Sequence, residues 1–248
     1  MFTFRNVQRV HESRSETVLD PFRFTGHLIF NHDTQVDIDF LRRTYNEAQV
    51  KYARMHADRP LLRFDKSWTG VVGEEIVKHI ITQELGFQLS NNNQVIDAQG
   101  YDGGDVRFTE NGVVKIINVS SRKLSLQDSI ENVLNEPDKY FALIPTDQLN
   151  QYTIRSNYAY FVFLLFNNAN QVNVNIGDNI TINLYTAAEW IVPGFLKNTD
   201  LTYMNANSFL FTKLRNSNLN GLYGDLAYNI NMYTNNYVIF IPFLRRFT

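Results

Sequence analysis

Residues 100–123 read GYDGGDVRFTENGVVKIINVSSRK, and they predict the centre of the fold. Within this stretch, residues 105–109 and 113–120 have the apolar and β-branched pattern of two strands. Asn111-Gly112 stands between them and is a strong signal for a tight hairpin turn. The segment therefore predicts an antiparallel pair of strands that the chain enters through a glycine-rich turn.

Outward from this hairpin, the spacing of apolar residues predicts the remaining elements. The run YAYFVFLLF at 158–166 is nearly continuously apolar, which is typical of a strand buried on both faces. Gly73 lies inside a predicted helix, where a glycine suits close packing against another element. We expect one mixed sheet flanked by helices at 67–85 and 125–134, with strands at 94–98, 105–109, 113–120, 140–144 and 158–166. Further expected elements are a strand or packed arm within 22–30, a helix at 37–54, a hairpin of 172–176 with 180–184, a short helix at 186–191 and a last strand at 237–242.

Composition excludes several classes of protein. The 248 residues carry a formal charge of −2 and no cysteine, which excludes disulfide scaffolds, thiolate zinc sites, iron–sulfur clusters and cysteine nucleophiles. The charge also excludes a protein that is basic over its whole surface. No apolar run approaches the roughly 20 residues of a membrane helix, and the first residues lack the apolar centre of a signal peptide. We therefore expect a cytoplasmic protein with no membrane partner.

Four polar residues around the hairpin form a pattern suited to chemistry. Asn118 and Ser120 lie two apart on one strand, so their side chains share a face of the sheet. Asp105 opens the paired strand and is expected to reach the same place. Glu75, on the preceding helix, is expected to add a carboxylate, and because Glu74 is its neighbour only one of the two can point inward. The alternative is that these are turn, surface and sheet residues without chemistry.

Three segments carry a resemblance to a known family: GEEIVKHI at 73–80, GYDGGDVRF at 100–108 and VKIINVSSRK at 114–123. Together they resemble the PD-(D/E)xK nuclease superfamily, whose order is a helical Glu, a strand Asp and a Glu-x-Lys pair on the next strand. The resemblance covers roughly residues 67–145, and the Gly-Gly turn before Asp105 is similar to the Mrr-like branch. It implies an α/β, restriction-endonuclease-like fold: a mixed central sheet flanked by helices, here with a β-rich C-terminal elaboration.

The resemblance also implies a Mg²⁺ site that hydrolyses a phosphodiester with metal-activated water. Asp105, Asn118 and Glu75 are the implied metal ligands. The chain departs from the family pattern at two positions, because Asn118 replaces the strand acid and Ser120 replaces the lysine. Ser120 would then hydrogen-bond the water or the phosphate.

A positive charge is still expected near the scissile phosphate, since the transition state gathers negative charge. Arg122 is the first candidate because it shares the strand face of Ser120. Lys123 is the alternative, on the ground that it is the same residue type as the family's lysine.

These features predict a Mg²⁺-dependent DNA endonuclease of the type II restriction kind, acting on double-stranded DNA as a homodimer. The predicted organisation is an N-terminal helical arm and possible DNA-recognition region at 1–66, a nuclease-like core at 67–166 and a β-rich C-terminal elaboration at 167–248. Two alternatives stay open. One is a catalytically inactive member of the same fold that serves as a DNA-binding or assembly subunit, and the other is a β-rich binding module, for instance for carbohydrate.

Overall fold

The computed structural model describes the greater part of the chain. The described residues are 3–11, 22–29, 34–56, 64–90, 104–125, 127–145, 148–166, 171–175, 181–185, 187–207, 212–213, 236–245 and 247. The strand predicted at 94–98 and the Asn-rich stretch at 214–235 lie outside them. The fold is a mixed α/β arrangement built on one large sheet.

The large sheet has seven strands, of which only one neighbouring pair runs parallel. In spatial order they are β1 (Thr3–His11), β2 (Phe22–Ile29), β10 (Ala187–Lys197), β7 (Tyr158–Phe166), β5 (Val113–Lys123), β4 (Val106–Glu110) and β3 (Gln88–Leu89). The parallel pair is β5 with β7, and every other neighbouring pair is antiparallel. A mixed central sheet was the expectation, and it is confirmed.

The hairpin of β4 and β5 closes where the sequence predicts. Asn111 and Gly112 both have positive φ, 51° and 76°, as a two-residue hairpin turn requires. Val106 pairs with Ile117, and Glu110 pairs with Val113 across the turn. The predicted antiparallel pair is therefore confirmed, with its turn residues.

Strand β7 is almost wholly buried, and its alternate residues enter two different cores. Tyr160 and Val162 belong to the core on one face of the sheet, together with residues of two long helices. Phe161 and Phe163 belong to the core on the other face. This strand is thus covered on both sides, which explains its continuous apolar run.

Two long helices cover the first face: α1 (Gln35–His56) and α2 (Phe64–His79), with a π-helical turn, Ile80–Glu84, directly after α2. Gly73 lies where α2 packs against β5. A Cβ on Gly73 would overlap with Oγ of Ser121. The close packing predicted for this glycine is confirmed.

Smaller elements cover the second face. They are α3 (Ile130–Asn135), a 3₁₀ turn (Pro137–Lys139), a π-helical turn (Gln151–Arg155), α4 (Asn198–Asn207) and a three-stranded sheet of β11 (Thr212–Lys213), β12 (Asn236–Phe240) and β6 (Phe141–Pro145). The predicted hairpin at 172–184 is confirmed as the separate pair β8 (Gln171–Asn175) and β9 (Thr181–Tyr185).

Two predictions about these elements are wrong. The strand at 140–144 is present as β6, but it pairs with β12 in the small sheet instead of joining the large one. The short helix at 186–191 is the first half of β10, whose Trp190 and Ile191 are buried inside the large sheet. The predicted helix ends just before Pro193, and a proline argues against a central strand. Here it sits at a register shift between Ile191 and Gly194, where the ladder is interrupted.

The three predicted segments are joined within one sheet. Strands β1 and β2 come from residues 1–66, and β10 comes from residues 167–248. Gly26 of β2 pairs with Trp190 of β10, and a Cβ on that glycine would meet the indole ring at 2.5 Å. In the described part of the chain, no helix has both the length and the apolar character required to cross a membrane.

Candidate functional site

The side chains of strand β5 point to two opposite faces of the sheet, and the predicted site residues Asn118 and Ser120 lie on one of them. Ile117 and Val119 are buried in the core beneath α1 and α2. Successive side chains of a strand point to opposite faces, so Asn118 and Ser120 project towards the other face. The shared face of Asn118 and Ser120, inferred from their spacing, is therefore real, but it is the face turned away from α2.

Asp105 lies at the start of β4 and ends the ladder between β4 and β5. Its backbone N–H donates to the carbonyl of Ile117 at 3.0 Å. Its carboxylate oxygen Oδ2 accepts a hydrogen bond from the N–H of Val119 at 2.7 Å. This oxygen takes the place of the main-chain carbonyl that would accept the bond if the ladder continued. Gly104 before it has φ of 94°, a conformation open to glycine at little cost. The glycine turn thus positions this carboxylate at the sheet edge.

The second oxygen of Asp105 belongs to a buried charged cluster. Lys51 Nζ, from α1, lies 3.8 Å from Asp105 Oδ1 and 2.5 Å from Oε1 of Glu74, on α2. Lys51 also lies 4.0 Å from Glu47, one helical turn earlier. We name Lys51, Glu74 and Asp105 the edge cluster. Through the Lys51 ammonium, this cluster links α1, α2 and the start of β4.

The edge cluster brings two carboxyl groups and one ammonium together in a place with little water. Burial and the nearby carboxylate of Asp105 raise the pKa of Glu74 to about 8, against the opposing pull of Lys51. Burial lowers the pKa of Lys51, but Glu74 and Asp105 outweigh it and raise that pKa overall. The lysine therefore stays protonated, and Glu74 releases its proton less readily than an ordinary glutamate does.

Glu75, the helical carboxylate expected from the sequence, takes no part in the edge cluster. Its oxygens accept from Arg43 at 3.1 Å and from Lys78 at 2.6 Å. Although burial opposes it, hydrogen bonds from these two cations lower the pKa of Glu75. The acid that shares a cation with Asp105 is its neighbour, Glu74, which is 4% exposed.

Asn118 serves as a tie between β5 and the π-helical turn at Gln151–Arg155. Its Nδ2 donates to Oγ of Ser156 at 2.6 Å, and that hydroxyl donates to the carbonyl of Gln151 at 3.1 Å. Its Oδ1 is buried and has no hydrogen-bond partner among the described residues. The amide nitrogen is thus committed to a structural contact on the second face.

Ser120 and Arg122 bind main-chain carbonyls of β6. Ser120 Oγ donates to the carbonyl of Leu143 at 2.8 Å, and Arg122 donates to that of Phe141 at 2.9 Å. The Arg122 guanidinium also lies 4.3 Å from the centre of the Phe141 ring. These side chains fasten the small sheet onto β5, and Lys123 lies 5.4 Å from the Phe166 ring.

From the sequence, Glu75 was preferred to its neighbour Glu74 and Lys51 was not linked to either acid, although a signal for Lys51 was present. Leu41, Thr44 and Ala48 are buried along one stripe of α1 at helical spacing. Lys51 follows Ala48 by three residues, so it continues that stripe inward. A lysine on a buried stripe needs a charged partner, and this one has Glu74.

The edge cluster continues towards the surface as a row of alternating charges. Glu47 lies 4.0 Å from Lys51 on one side and 4.0 Å from Arg43 on the other. Arg43 binds Glu75, and Glu75 binds Lys78. Each charge in the row therefore has a neighbour of opposite sign.

Chemically, the edge cluster offers two carboxylates around one cation position. Mg²⁺ usually takes one or two protein carboxylates and completes its six ligands with water and phosphate oxygens. Glu74 and Asp105 fit that donor set, because one ammonium already approaches both. Over the described residues, no group of three or more His, Cys, Asp or Glu side chains is arranged to hold a metal.

The chain has no counterpart in the comparisons: no protein-family model, no curated protein and no solved structure matches it.

Proposed function

We propose that the protein is a Mg²⁺-dependent DNA endonuclease of restriction type, with its chemistry at the edge cluster. The observation that carries this is the single ammonium of Lys51, which lies within 4 Å of both Glu74 and Asp105. A position that one cation shares with two buried carboxylates suits a divalent metal. The order of elements, a helical acid followed by an acid at the start of a strand, supports a restriction-endonuclease-like fold.

In this proposal Glu74 and Asp105 hold the metal, and Glu74 replaces Glu75 in that role. The metal, when bound, supplies a water of lowered pKa and polarises the phosphodiester. Lys51 is the ammonium that lies nearest to these two carboxyl groups in the described structure, whereas Arg122 and Lys123 were the sequence-based candidates for a positive charge. Arg122 is a weaker candidate now, because its guanidinium binds the Phe141 carbonyl on the opposite face.

The substrate proposed is double-stranded DNA, and the assembly proposed is a homodimer. Each chain carries one edge cluster, so two chains are needed to cut two strands at once. A twofold dimer places two such clusters symmetrically, as a symmetric DNA site requires.

A second candidate function is a catalytically inactive member of the same fold that binds DNA or serves as an assembly subunit. The side chains of Asn118 and Ser120 favour it, because both are committed to structural hydrogen bonds. The short bond from Lys51 to Glu74 favours it too, since the cluster is neutralised in part without a metal.

Cleavage of large DNAs of mixed sequence separates the two candidates, because the recognition sequence is not needed in advance. The wild-type protein, in excess and with Mg²⁺, should cut such DNA into discrete fragments. Asp105→Asn keeps an oxygen for the Val119 N–H but loses the charge, and we expect cleavage to fall about a thousandfold.

Asn118→Ala is the matched control, since it removes a polar side chain from the other face of the same region. We expect its cleavage rate to stay within about tenfold of wild type. Equal loss in both variants would place the chemistry at Asn118 as well. Intact DNA with every protein, together with a shift of DNA mobility, would establish the inactive DNA-binding candidate.

A further inference from the structure

Lys51 occupies the position that the proposed metal would need. Its ammonium lies 2.5 Å from Glu74 Oε1, and Mg²⁺ requires its ligand oxygens at about 2.0–2.1 Å. Both cations cannot hold that oxygen together, because they would repel each other strongly at such a separation. The lysine and the metal therefore compete for Glu74.

We propose that Lys51 is a displaceable counter-ion: a divalent cation binds Glu74 and Asp105 as the Lys51 ammonium leaves Glu74 and moves to Glu47. This inference rests on the proposed function, since it concerns the same site. In this proposal Lys51 partly neutralises the metal-free cluster and also controls the affinity of the cluster for the metal.

The row of charges along α1 gives the displaced ammonium a place to go. Glu47 lies one helical turn before Lys51, with its oxygen 4.0 Å from Nζ. The Glu47 side chain is 25% exposed, against 6% for Glu74, so an ammonium beside Glu47 is nearer to water. The lysine stem has four carbons and turns without movement of the helix backbone.

The charge balance favours this exchange. With Lys51 in place the two carboxylates of the edge cluster face one positive charge, and with Mg²⁺ in place they face two. The released ammonium still finds a carboxylate, because Glu47 is shared with Arg43 at 4.0 Å and that arginine has Glu75 as a second partner. No charge in the described row is thereby left without an opposite neighbour.

Amine labelling of the wild-type protein tests the exchange without any substitution. A buried, paired ammonium reacts slowly with acetic anhydride, whereas one released towards solvent reacts faster. We expect saturating Mg²⁺ to raise the labelling rate of Lys51 at least severalfold, read by peptide mass spectrometry.

Lys78 is the internal control, because it also pairs with a glutamate, at 2.6 Å, but lies outside the edge cluster. Its labelling rate should not change with Mg²⁺. An unchanged or lower rate at Lys51 in a protein that cuts DNA would overturn the exchange and leave the proposed function standing.

Calorimetry with Ca²⁺, another oxygen-seeking cation, gives a second and independent readout. Removing the competing charge in Lys51→Met should tighten Ca²⁺ binding about tenfold or more at pH 8.5, as expected for loss of a like charge nearby. Lys78→Met should bind as wild type does. Unchanged or weaker binding by folded Lys51→Met overturns the exchange, and absence of binding in every variant overturns the metal site with it.

Discussion

The two faces of strand β5 use polar residues in opposite ways. Towards α1 and α2, the carboxyl groups of Glu74 and Asp105 are gathered around the ammonium of Lys51. On the other face, Ser120 and Arg122 donate to main-chain carbonyls of β6. One face has ionic groups that link two helices to the start of β4, and the other has hydrogen bonds that hold two sheets together.

This difference shows how a correct spacing can point to the wrong side. Residues two apart on a strand share a face whichever way the strand is turned. Which face meets the helices depends on packing across the sheet, here on Ile117 and Val119 entering the core beneath α2. Asn118 and Ser120 therefore share a face of β5, as their spacing predicts. They are nevertheless separated from Glu74 and Asp105, the acids of the edge cluster.

The largest expected effect on stability comes from breaking the edge cluster. Lys51→Met leaves Glu74 buried without its cation, and we expect the free energy of unfolding to fall by about 3 kcal/mol. Lys78→Met removes a more exposed partner of Glu75 and should cost less than about 1 kcal/mol. Urea unfolding at pH 9, where Glu74 is ionised in the wild-type protein, measures both. Equal costs would mean that the edge cluster is no more demanding than a surface ion pair.

Packing between α2 and β5 is tested next, on the helix side of the strand. Gly73→Ala places a methyl group against the Ser121 side chain, and we expect a loss of about 2 kcal/mol. Gly70→Ala is the matched control, because a Cβ there meets nothing within 4 Å. It should stabilise the helix by about 0.5–1 kcal/mol. Opposite signs in thermal unfolding are the expected result.

The pH dependence of stability reports Glu74 directly. Its pKa is raised from 4.5 to about 8 in the folded protein, so the folded state holds that proton where the unfolded chain has lost it. The free energy of unfolding should therefore fall as pH rises from about 5 to 8, by at most about 1.4 kcal/mol per pH unit.

Substitution identifies the group behind that slope. Glu74→Gln removes the titrating proton and should flatten the dependence between pH 5 and 8. The pKa of Glu75 is lowered, so its stabilising contribution is lost only as pH falls below about 4.5. Glu75→Gln should leave the slope between pH 5 and 8 as it is in wild type. A slope that survives Glu74→Gln would assign it to another group.

The smallest expected effect is on the second face. Ser120→Ala removes one hydrogen bond to the Leu143 carbonyl and should cost about 1 kcal/mol, with DNA cleavage unchanged. Arg122→Ala should likewise leave the cleavage rate within severalfold of wild type. A hundredfold loss of cleavage by Arg122→Ala, with DNA binding kept, would return Arg122 to the catalytic role that its strand position suggested.

Local signals account for most of what could be predicted of the fold. Asn111-Gly112 gave the hairpin turn, and the apolar run of β7 gave a strand buried on both sides. Strand β6 was assigned to the wrong sheet because its partner, β12, lies about 95 residues further along the chain, a pairing that short-range patterns do not encode. The first half of β10 was predicted as a helix because a proline argues against a central strand. Pro193 is tolerated in β10 because it lies at a register shift.

The site was harder to predict than the fold, for reasons of geometry. Glu74 and Glu75 are adjacent, and the apolar stripe of α2 passes close to both, so helical spacing does not decide between them. Lys51 comes from a helix more than 20 residues before Glu74, outside the segments that carry the resemblance. Only the packing of α1 against α2 brings Lys51 to Asp105, at the start of β4.

The pairing of β2 with β10 has a consequence for how the chain is made. Gly26 meets Trp190, which the ribosome adds about 160 residues later, on the order of ten seconds at ordinary rates of synthesis. During that interval β2 has β1 on one side and an open edge on the other. An open edge pairs with any suitable strand, so neighbouring nascent chains on one message are the nearest competitors for it. Slow translation between these two strands prolongs that exposure, and fast translation shortens it.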